Sequence, residues 1–319
     1  MSQKAPAIIE GAQFERPKES SLNLWLVSIR PYQWVKNVFV LTPLLFGRKL
    51  GDVGALVQAA LAFSSFCLLS SSIYVFNDVI DAAEDREHPK KRLRPISSGA
   101  FPTSYAVSGA VALFLVGEVI SGLVSAEFAL VSTIYWVLMI GYCLRWKRAI
   151  VLDAMIIASG FVLRVVGGAV AVEVPPTHWL IACAFLLALY LAFAKRRQEL
   201  LSLADAAKHR SVLDTYTLPY LDQVTNILVG AAVVCYALYS VAPETIDHFG
   251  TDKLIYGTVF VLYGLLRYLA LTQDQANGGD PSKMLLRDKP LCLAVLGWTA
   301  YNAVIIYREP IITIWSQLH

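Results

Sequence analysis

"GALVQAALAFSSFCLLSSSIYVFNDVIDAAEDREHPKKRLRPISSG" occupies residues 54–99. Its first 23 residues, 54–76, carry no charge, and about 20 such residues suffice for a helix to cross a bilayer. The chain then changes character at once. Acids come first, Asp78, Asp81, Glu84 and Asp85, and bases follow, Lys90, Lys91, Arg92 and Arg94. If the helix continues past Phe76, then Asp78, Asp81 and Asp85 recur at i, i+3 and i+7 and share one face. Asn77, Asp81 and Asp85 stack at four-residue steps. Like charges that close repel, so this helix end is either well solvated or compensated. Mg²⁺ is the natural compensator, because it takes oxygen ligands and binds through one or two carboxylates plus substrate phosphates. The bases from Lys90 to Arg94 suit the remaining phosphate charge. Acids placed at a membrane mouth are functional by default.

The rest of the chain agrees with a membrane setting. Of its 319 residues, 56% are apolar and only 16% charged, with a mean hydropathy of +0.55. A soluble domain usually carries about a quarter charged residues. Apolar runs fall near 33–47, 54–76, 105–124, 127–143, 151–172, 178–194, 222–242, 254–271 and 291–308. The expected fold is all-α, a bundle of about nine transmembrane helices, the first of them short. Lipid-facing backbone must satisfy itself, which excludes open strands. Residues 1–21 are polar and expected as a mobile tail, with 22–319 as one catalytic membrane domain. The net charge of +3 leaves no basic footprint for nucleic acid. A homo-oligomer is compatible with the sequence and not specified by it. The five cysteines show no metal-ligand spacing.

Lys and Arg cluster after the second, fourth, sixth and eighth runs, while the loops near 122–127 and 173–177 carry none. The positive-inside rule therefore places the N-terminus and the four basic loops in the cytoplasm, and His319 outside.

"NDVIDAAED" at 77–85 resembles the N-D-x-x-D-x-x-x-D motif of the UbiA superfamily of intramembrane prenyltransferases. The resemblance implies a helical bundle with a cytoplasm-facing cavity, in which Asn77, Asp78, Asp81 and Asp85 bind Mg²⁺-diphosphate. "RPYQWVKN" (30–37), "HPKKRLRPISSG" (88–99), "FVLRVVGG" (161–168), "KRRQEL" (195–200) and "GGDPSKMLLRDKPL" (278–291) are similar to the decaprenyl-phosphate phosphoribosyltransferase branch of that superfamily. That branch moves 5-phosphoribose from phosphoribosyl diphosphate (PRPP) to a polyprenyl phosphate at the inner membrane. Aromatic prenyltransferases of the superfamily carry a second acid-rich motif after the sixth span. Here the place reads "LAFAKRRQELLSLAD", with Lys195, Arg196 and Arg197 and only Glu199 and Asp205 as acids. Bases there suit a substrate with an extra phosphate. A prenyltransferase using a prenyl diphosphate is the runner-up. A transporter is a third reading, which paired broken helices would favour; no such pairing is visible.

Further candidates sit near the same mouth. Lys147 resembles the lysine of the family's Tyr-to-Lys motif and is a candidate catalytic phosphate holder. Tyr142 suits either a substrate contact or an interfacial aromatic belt. Asp153 suits a substrate contact or a helix cap. Asp153, Gly160, Arg164 and Gly167 fall near one helical stripe, with Arg164 about 16 Å beyond Asp153 along the axis. An arginine that deep should face protein or a wet cavity, and Arg164 is expected to face the cavity in a structural or a phosphate-binding role. Gly160, Gly167 and Gly168 allow close helix packing. Arg30, Trp34 and Lys36 suit a membrane-surface anchor, and the family match adds Lys36 and Asn37 as substrate contacts. Asp280, Arg287 and Asp288 lie on a turn-rich loop that can close over the donor or be purely structural. His88 and His209 are expected as plain interfacial residues.

Overall fold

The computed structural model describes residues 20–89, 91–202, 215–273, 284 and 287–308, and no strand occurs among them. Twelve α-helices organise these residues. In chain order they are α1 (Ser21–Ile29), α2 (Thr42–Phe46), α3 (Val53–Ile80), α4 (Ala82–Glu87), α5 (Thr103–Val124) and α6 (Ala126–Leu144). They continue with α7 (Leu152–Ala171), α8 (His178–Ser202), α9 (Leu218–Val241), α10 (Pro243–Phe249), α11 (Thr258–Gln273) and α12 (Lys289–Ile306). Eight of the described helical stretches are long and apolar enough to cross a membrane: α3, α5, α6, α7, α8, α9, the stretch Lys253–Gln273 and α12. Each coincides with one of the apolar runs read from the sequence.

The ninth run takes another form. Pro31–Leu41 is an 11-residue 3₁₀ helix that leads into the five-residue α2. A 3₁₀ helix eclipses side chains every third residue and seldom runs beyond one turn or so. Within Pro31–Leu41, Gln33, Asn37 and Val40 are buried, and Pro43, Leu44 and Phe46 of α2 continue the buried stripe. Because 3₁₀ winding rises about 2 Å per residue, 31–46 extends about 30 Å, the thickness of a hydrocarbon core. Gly168 of α7 is what admits it: a Cβ there would stand 1.9 Å from the Val40 carbonyl oxygen. Gly167 meets Phe66 in the same way, with 2.8 Å to the ring.

Polar side chains inside α3 tie its neighbours to it. Ser71 donates to the Ile29 carbonyl at 2.9 Å and accepts from the Trp34 indole at 3.0 Å. Ser72 donates to the Ala110 carbonyl of α5 at 2.8 Å and accepts from Trp136 of α6 at 3.3 Å. Such hydroxyl bonds are worth about 1 kcal/mol each inside a membrane bundle. The end of the bundle away from the acids is closed by carbonyl contacts. Arg48 donates to the Phe249 carbonyl at 2.9 Å and Arg308 to the Gly250 carbonyl at 2.8 Å.

Candidate functional site

The acids stand where α3 ends. Asp81 caps α3 and precedes α4, and the i→i+4 spacing survives the junction: Asp81 N–H bonds the Asn77 carbonyl at 2.9 Å, and Asp85 N–H bonds the Asp81 carbonyl at 2.8 Å. The one-faced set expected from the sequence therefore holds. Asp78 is 2% exposed and so is Asp85. A carboxylate that deep needs partners, since its desolvation costs several kcal/mol.

Each acid has a base. Arg30 grips both oxygens of Asp78, at 2.5 and 2.8 Å. Arg94 donates to Asp78 at 3.0 Å and to Asp85 at 2.5 Å. Lys91 stands 3.8 Å from Asp85. Lys147 pairs with Asp81, whose other oxygen accepts from the Asn77 amide at 3.0 Å. Farther out, exposed Glu84 meets Arg148 at 3.0 Å. The Arg30 guanidinium also lies 5.3 Å from the Tyr74 ring centroid. Burial works against the charge of this guanidinium, but Asp78, Tyr32 and Tyr74 together outweigh it and raise its pKa. Arg30 has φ 52° and ψ 61°, the left-handed conformation that reverses the chain between α1 and the 3₁₀ helix.

A second charged cluster lies beside the first. Arg196, 1% exposed, donates through Nε to Asp153 at 2.8 Å, through Nη1 to Glu199 at 3.2 Å and through Nη2 to the Tyr142 hydroxyl at 3.3 Å. The Tyr216 hydroxyl donates to the other oxygen of Asp153 at 2.8 Å and accepts the Val151 N–H at 2.7 Å. Lys195 reaches Glu199 at 3.8 Å. Asp153 is not the cap of α7. Val151 occupies that position with φ 66° and ψ −48°, and Leu152 N–H bonds the Ile150 carbonyl at 2.7 Å. This is a γ-turn of the rare, strained hand. Tyr216 braces it, and the turn delivers Asp153 to Arg196. The end of α6 joins the two clusters: Tyr142 touches Arg196, and Lys147, in the 3₁₀ turn Trp146–Arg148, touches Asp81.

Other expected residues fall elsewhere. Arg164 is 4% exposed and encased in protein. It donates to Asn37 at 2.7 Å, the Gly160 carbonyl at 3.0 Å and the Tyr135 hydroxyl at 2.7 Å, and it lies 4.6 Å from the Tyr135 ring centroid. Asn37 is equally buried, with its amide on Cys67 and Ser70. Of the two settings open to a deep arginine, the structure selects protein. Arg164 and Asn37 join α7, the 3₁₀ helix, α3 and α6. Lys36 is half-buried next to Asn37. Arg197 binds Asp222 at 2.5 Å and the Thr272 carbonyl at 3.0 Å, fastening α8 to α9 and α11. Arg287 is exposed, and Asp288 pairs with Arg267 at 2.8 Å. His88 is buried, and its Nδ1 accepts the Lys91 N–H at 3.3 Å, fixing the corner that carries the bases. Lys90, Asp205, His209, Asp280 and His319, and all but the last residues of the N-terminal tail, lie outside the described residues.

Sequence reasoning missed Arg30 as a member of the acid cluster and Tyr216 altogether. Arg30 lies 48 residues from Asp78, and only its place before an apolar run marked it. Tyr216 follows the sixth span without any motif.

No group of three or more His, Cys, Asp and Glu side chains converges as a ready metal cage among the described residues. The donor set still fits Mg²⁺, which relies on one or two carboxylates and takes its other ligands from water and phosphate. Asp78, Asp81 and Asp85, with the Asn77 amide, offer hard oxygens on one face, each held by cations that a phosphate can draw away.

Apolar spanning helices with paired carboxylates and cations gathered at one end define an integral membrane protein suited to anionic groups. The chain belongs to the UbiA prenyltransferase family, whose model matches residues 40–287. A decaprenyl-phosphate phosphoribosyltransferase of Mycolicibacterium smegmatis is 34% identical over 304 residues, covering 91% of this chain and 95% of that protein. Its namesake in Corynebacterium glutamicum is 34% identical over 310 residues, covering 95% and 92%. Among solved structures, a UbiA homolog from Archaeoglobus fulgidus bound to GPP and Mg²⁺ superposes with a TM-score of 0.70 at 18% identity, covering 89% of this chain and 99% of that one. The last likeness concerns the fold.

Proposed function

We propose that this protein transfers 5-phosphoribose from PRPP to a polyprenyl phosphate, releasing diphosphate, at the cytoplasmic face of the inner (plasma) membrane. The observation that carries the reading is the composition of the second cluster. Where a prenyl-diphosphate enzyme of the family has a second set of acids, this chain has Arg196 neutralised by Asp153 and Glu199, with Lys195 beside it. The first cluster gathers three carboxylates, Asp78, Asp81 and Asp85, against two in the second, Asp153 and Glu199. The two phosphoribosyltransferase relatives support the same substrate pair.

In this reading Asp78, Asp81 and Asp85 hold Mg²⁺-diphosphate, with Asn77 as a fourth contact. Bound there, Mg²⁺ neutralises charge on the departing diphosphate; the Archaeoglobus neighbour is a protein with Mg²⁺ bound. Lys147 and Lys91 leave their carboxylates for phosphate oxygens as donor enters, so that cations meet charge where it develops. The ribose C1–O bond to diphosphate breaks, and the electron pair leaves with diphosphate. An oxygen of the lipid phosphate bonds to C1. That oxygen is already anionic near neutral pH, so no proton must move and no general base is required. Tyr142, Lys195 and Glu199, at the edge of the buried cluster, stand nearest to where a second phosphate would rest.

The test is transfer of label from radioactive PRPP into extractable lipid by purified protein given polyprenyl phosphate and Mg²⁺. Unlabelled lipid overturns the reading. Consumption of a prenyl diphosphate with an aromatic acceptor instead establishes the runner-up. Orientation is tested with cysteine tags: those near Lys91, Lys147 and Lys283 should be reached from the cytoplasm, and one near Pro175 from the far side.

A further inference from the structure

We infer that the groove between α1 and the Arg94–Pro95 corner seats the acceptor, a long-chain isoprenyl monophosphate. Its phosphate rests between Arg30 and Arg94, and its first isoprene units run along Leu26 and Val27. The inference rests on the phosphoribosyl-transfer reading and adds the place of one substrate.

The groove encloses about 370 Å³, with Leu26, Val27, Tyr32 and Pro95 on its walls and Arg30, Asp78 and Arg94 at its floor. The apolar wall is open by construction. α1 has nine residues, about 14 Å at the α-helical rise, too short to span. One face is fastened to the bundle: Leu24 is buried, and Trp25 packs edge-on against Phe101, its ring centroid 4.9 Å away, and over Gly109, where a Cβ would stand 1.8 Å from the indole. The opposite face presents Leu22, Leu26 and Val27 at 68%, 46% and 54% exposure. A short helix with one face anchored and an apolar face bare lies in the interface and meets acyl or isoprenyl chains.

The polar end matches a monophosphate. Two guanidiniums face one carboxylate there, and guanidinium forks suit phosphate oxygens. Arg30 contacts Asp78 on the α1 side, while Lys147 holds Asp81 from the end of α6. The acid motif thus has two flanks, one open to an apolar wall and one turned toward the polar Tyr142–Arg196 cluster. PRPP has no apolar part and gains nothing from Leu26 or Val27. A lipid phosphate entering from the α1 flank brings its oxygen to the motif without passing the donor.

The experiment uses full-length protein in nanodiscs and a polyprenyl phosphate bearing a diazirine on its second isoprene unit. Photolabelling should mark the peptide containing residues 21–30, with or without PRPP, and excess phosphatidylglycerol should not displace it. Val27→Glu and Leu26→Glu should each raise the KM for the lipid about tenfold, the effect of losing a couple of buried methylenes, with the KM for PRPP within about twofold. Val27→Leu should behave as wild type, which separates lipid contact from folding. Label confined to α11 or α12, equal displacement by phosphatidylglycerol, or an unmoved lipid KM in both glutamate variants overturns the inference. If wild type labels on α1 but ignores PRPP, the transfer reading falls while the lipid-phosphate site stands. If it uses PRPP and labels elsewhere, only the site falls.

Discussion

The Asp78 and Asp153 clusters are made of the same parts and closed differently. Asp78, Asp81 and Asp85 are held by Arg30, Lys91, Arg94 and Lys147, four cations arriving from three separate segments, all partly exposed. Asp153 is held by Arg196 and Tyr216, and both the acid and the arginine are sealed from solvent. In the first cluster the cations are open to water although Asp78 and Asp85 are buried, and on the proposed function they exchange these carboxylates for phosphate as donor enters. In the second, pulling Arg196 away leaves a buried carboxylate with no cation and only the Tyr216 hydroxyl described on it. The difference separates counterions that work from counterions that hold the frame.

The largest effect that could break this comparison is on the first cluster. Asp78→Ala, Asp81→Ala and Asp85→Ala should each lower kcat by about a hundredfold or more, the scale of losing a group that meets developing charge, with folded protein still made. Chelation of Mg²⁺ should do the same to wild type. Near-normal turnover in all three variants would remove the metal role. The second cluster should fail in another way: Asp153→Ala takes from Arg196 its fully buried partner and leaves it Glu199 and Tyr142, and breaking a buried pair from one side costs up to about 3–5 kcal/mol. Thermal unfolding in detergent or folded yield should show it. The double variant Asp153→Leu/Arg196→Met should recover much of the loss. An Arg196→Gln protein that folds normally and only raises the KM for PRPP would move Arg196 into the substrate-exchanging class.

A smaller effect sharpens the comparison. Lys91→Gln and Lys147→Gln should raise the KM for PRPP several-fold more than that for lipid, as expected for contacts made with donor in ground and transition state alike. The smallest effect belongs to the exposed Glu84–Arg148 pair, where substitution of either residue should change stability by less than about 1 kcal/mol, as surface ion pairs do.

The sequence made the eight long helices legible because each is a long, mainly apolar run, and the acid face because its spacing is helical. It could not show which base meets which acid. Arg30 and Asp78 are joined only by the return of the chain across the bundle, and Tyr216 reaches Asp153 from beyond α8. Arg164 was marked by depth alone, and depth does not tell a wet wall from a dry one; its partners Asn37 and Tyr135 decide that. The buried stripe of Asn37, Val40, Pro43 and Phe46, which runs from the 3₁₀ helix into α2, was present in the sequence, but the residues between are mostly apolar too and mask it.

That stripe gives the protein a mechanical property. A tilted α-helix accommodates a thinner bilayer by tilting further, whereas residues 31–46 match the thickness of a hydrocarbon core only through their tight winding. Rewound as α-helix they would shorten by about 5 Å. Membrane thickness, which costs fractions of a kcal/mol per Å of mismatch, therefore acts as a load on this segment. Arg30 sits at its end with both nitrogen–oxygen contacts on Asp78. A long 3₁₀ segment is therefore tied at its head, through Arg30, to the acid motif.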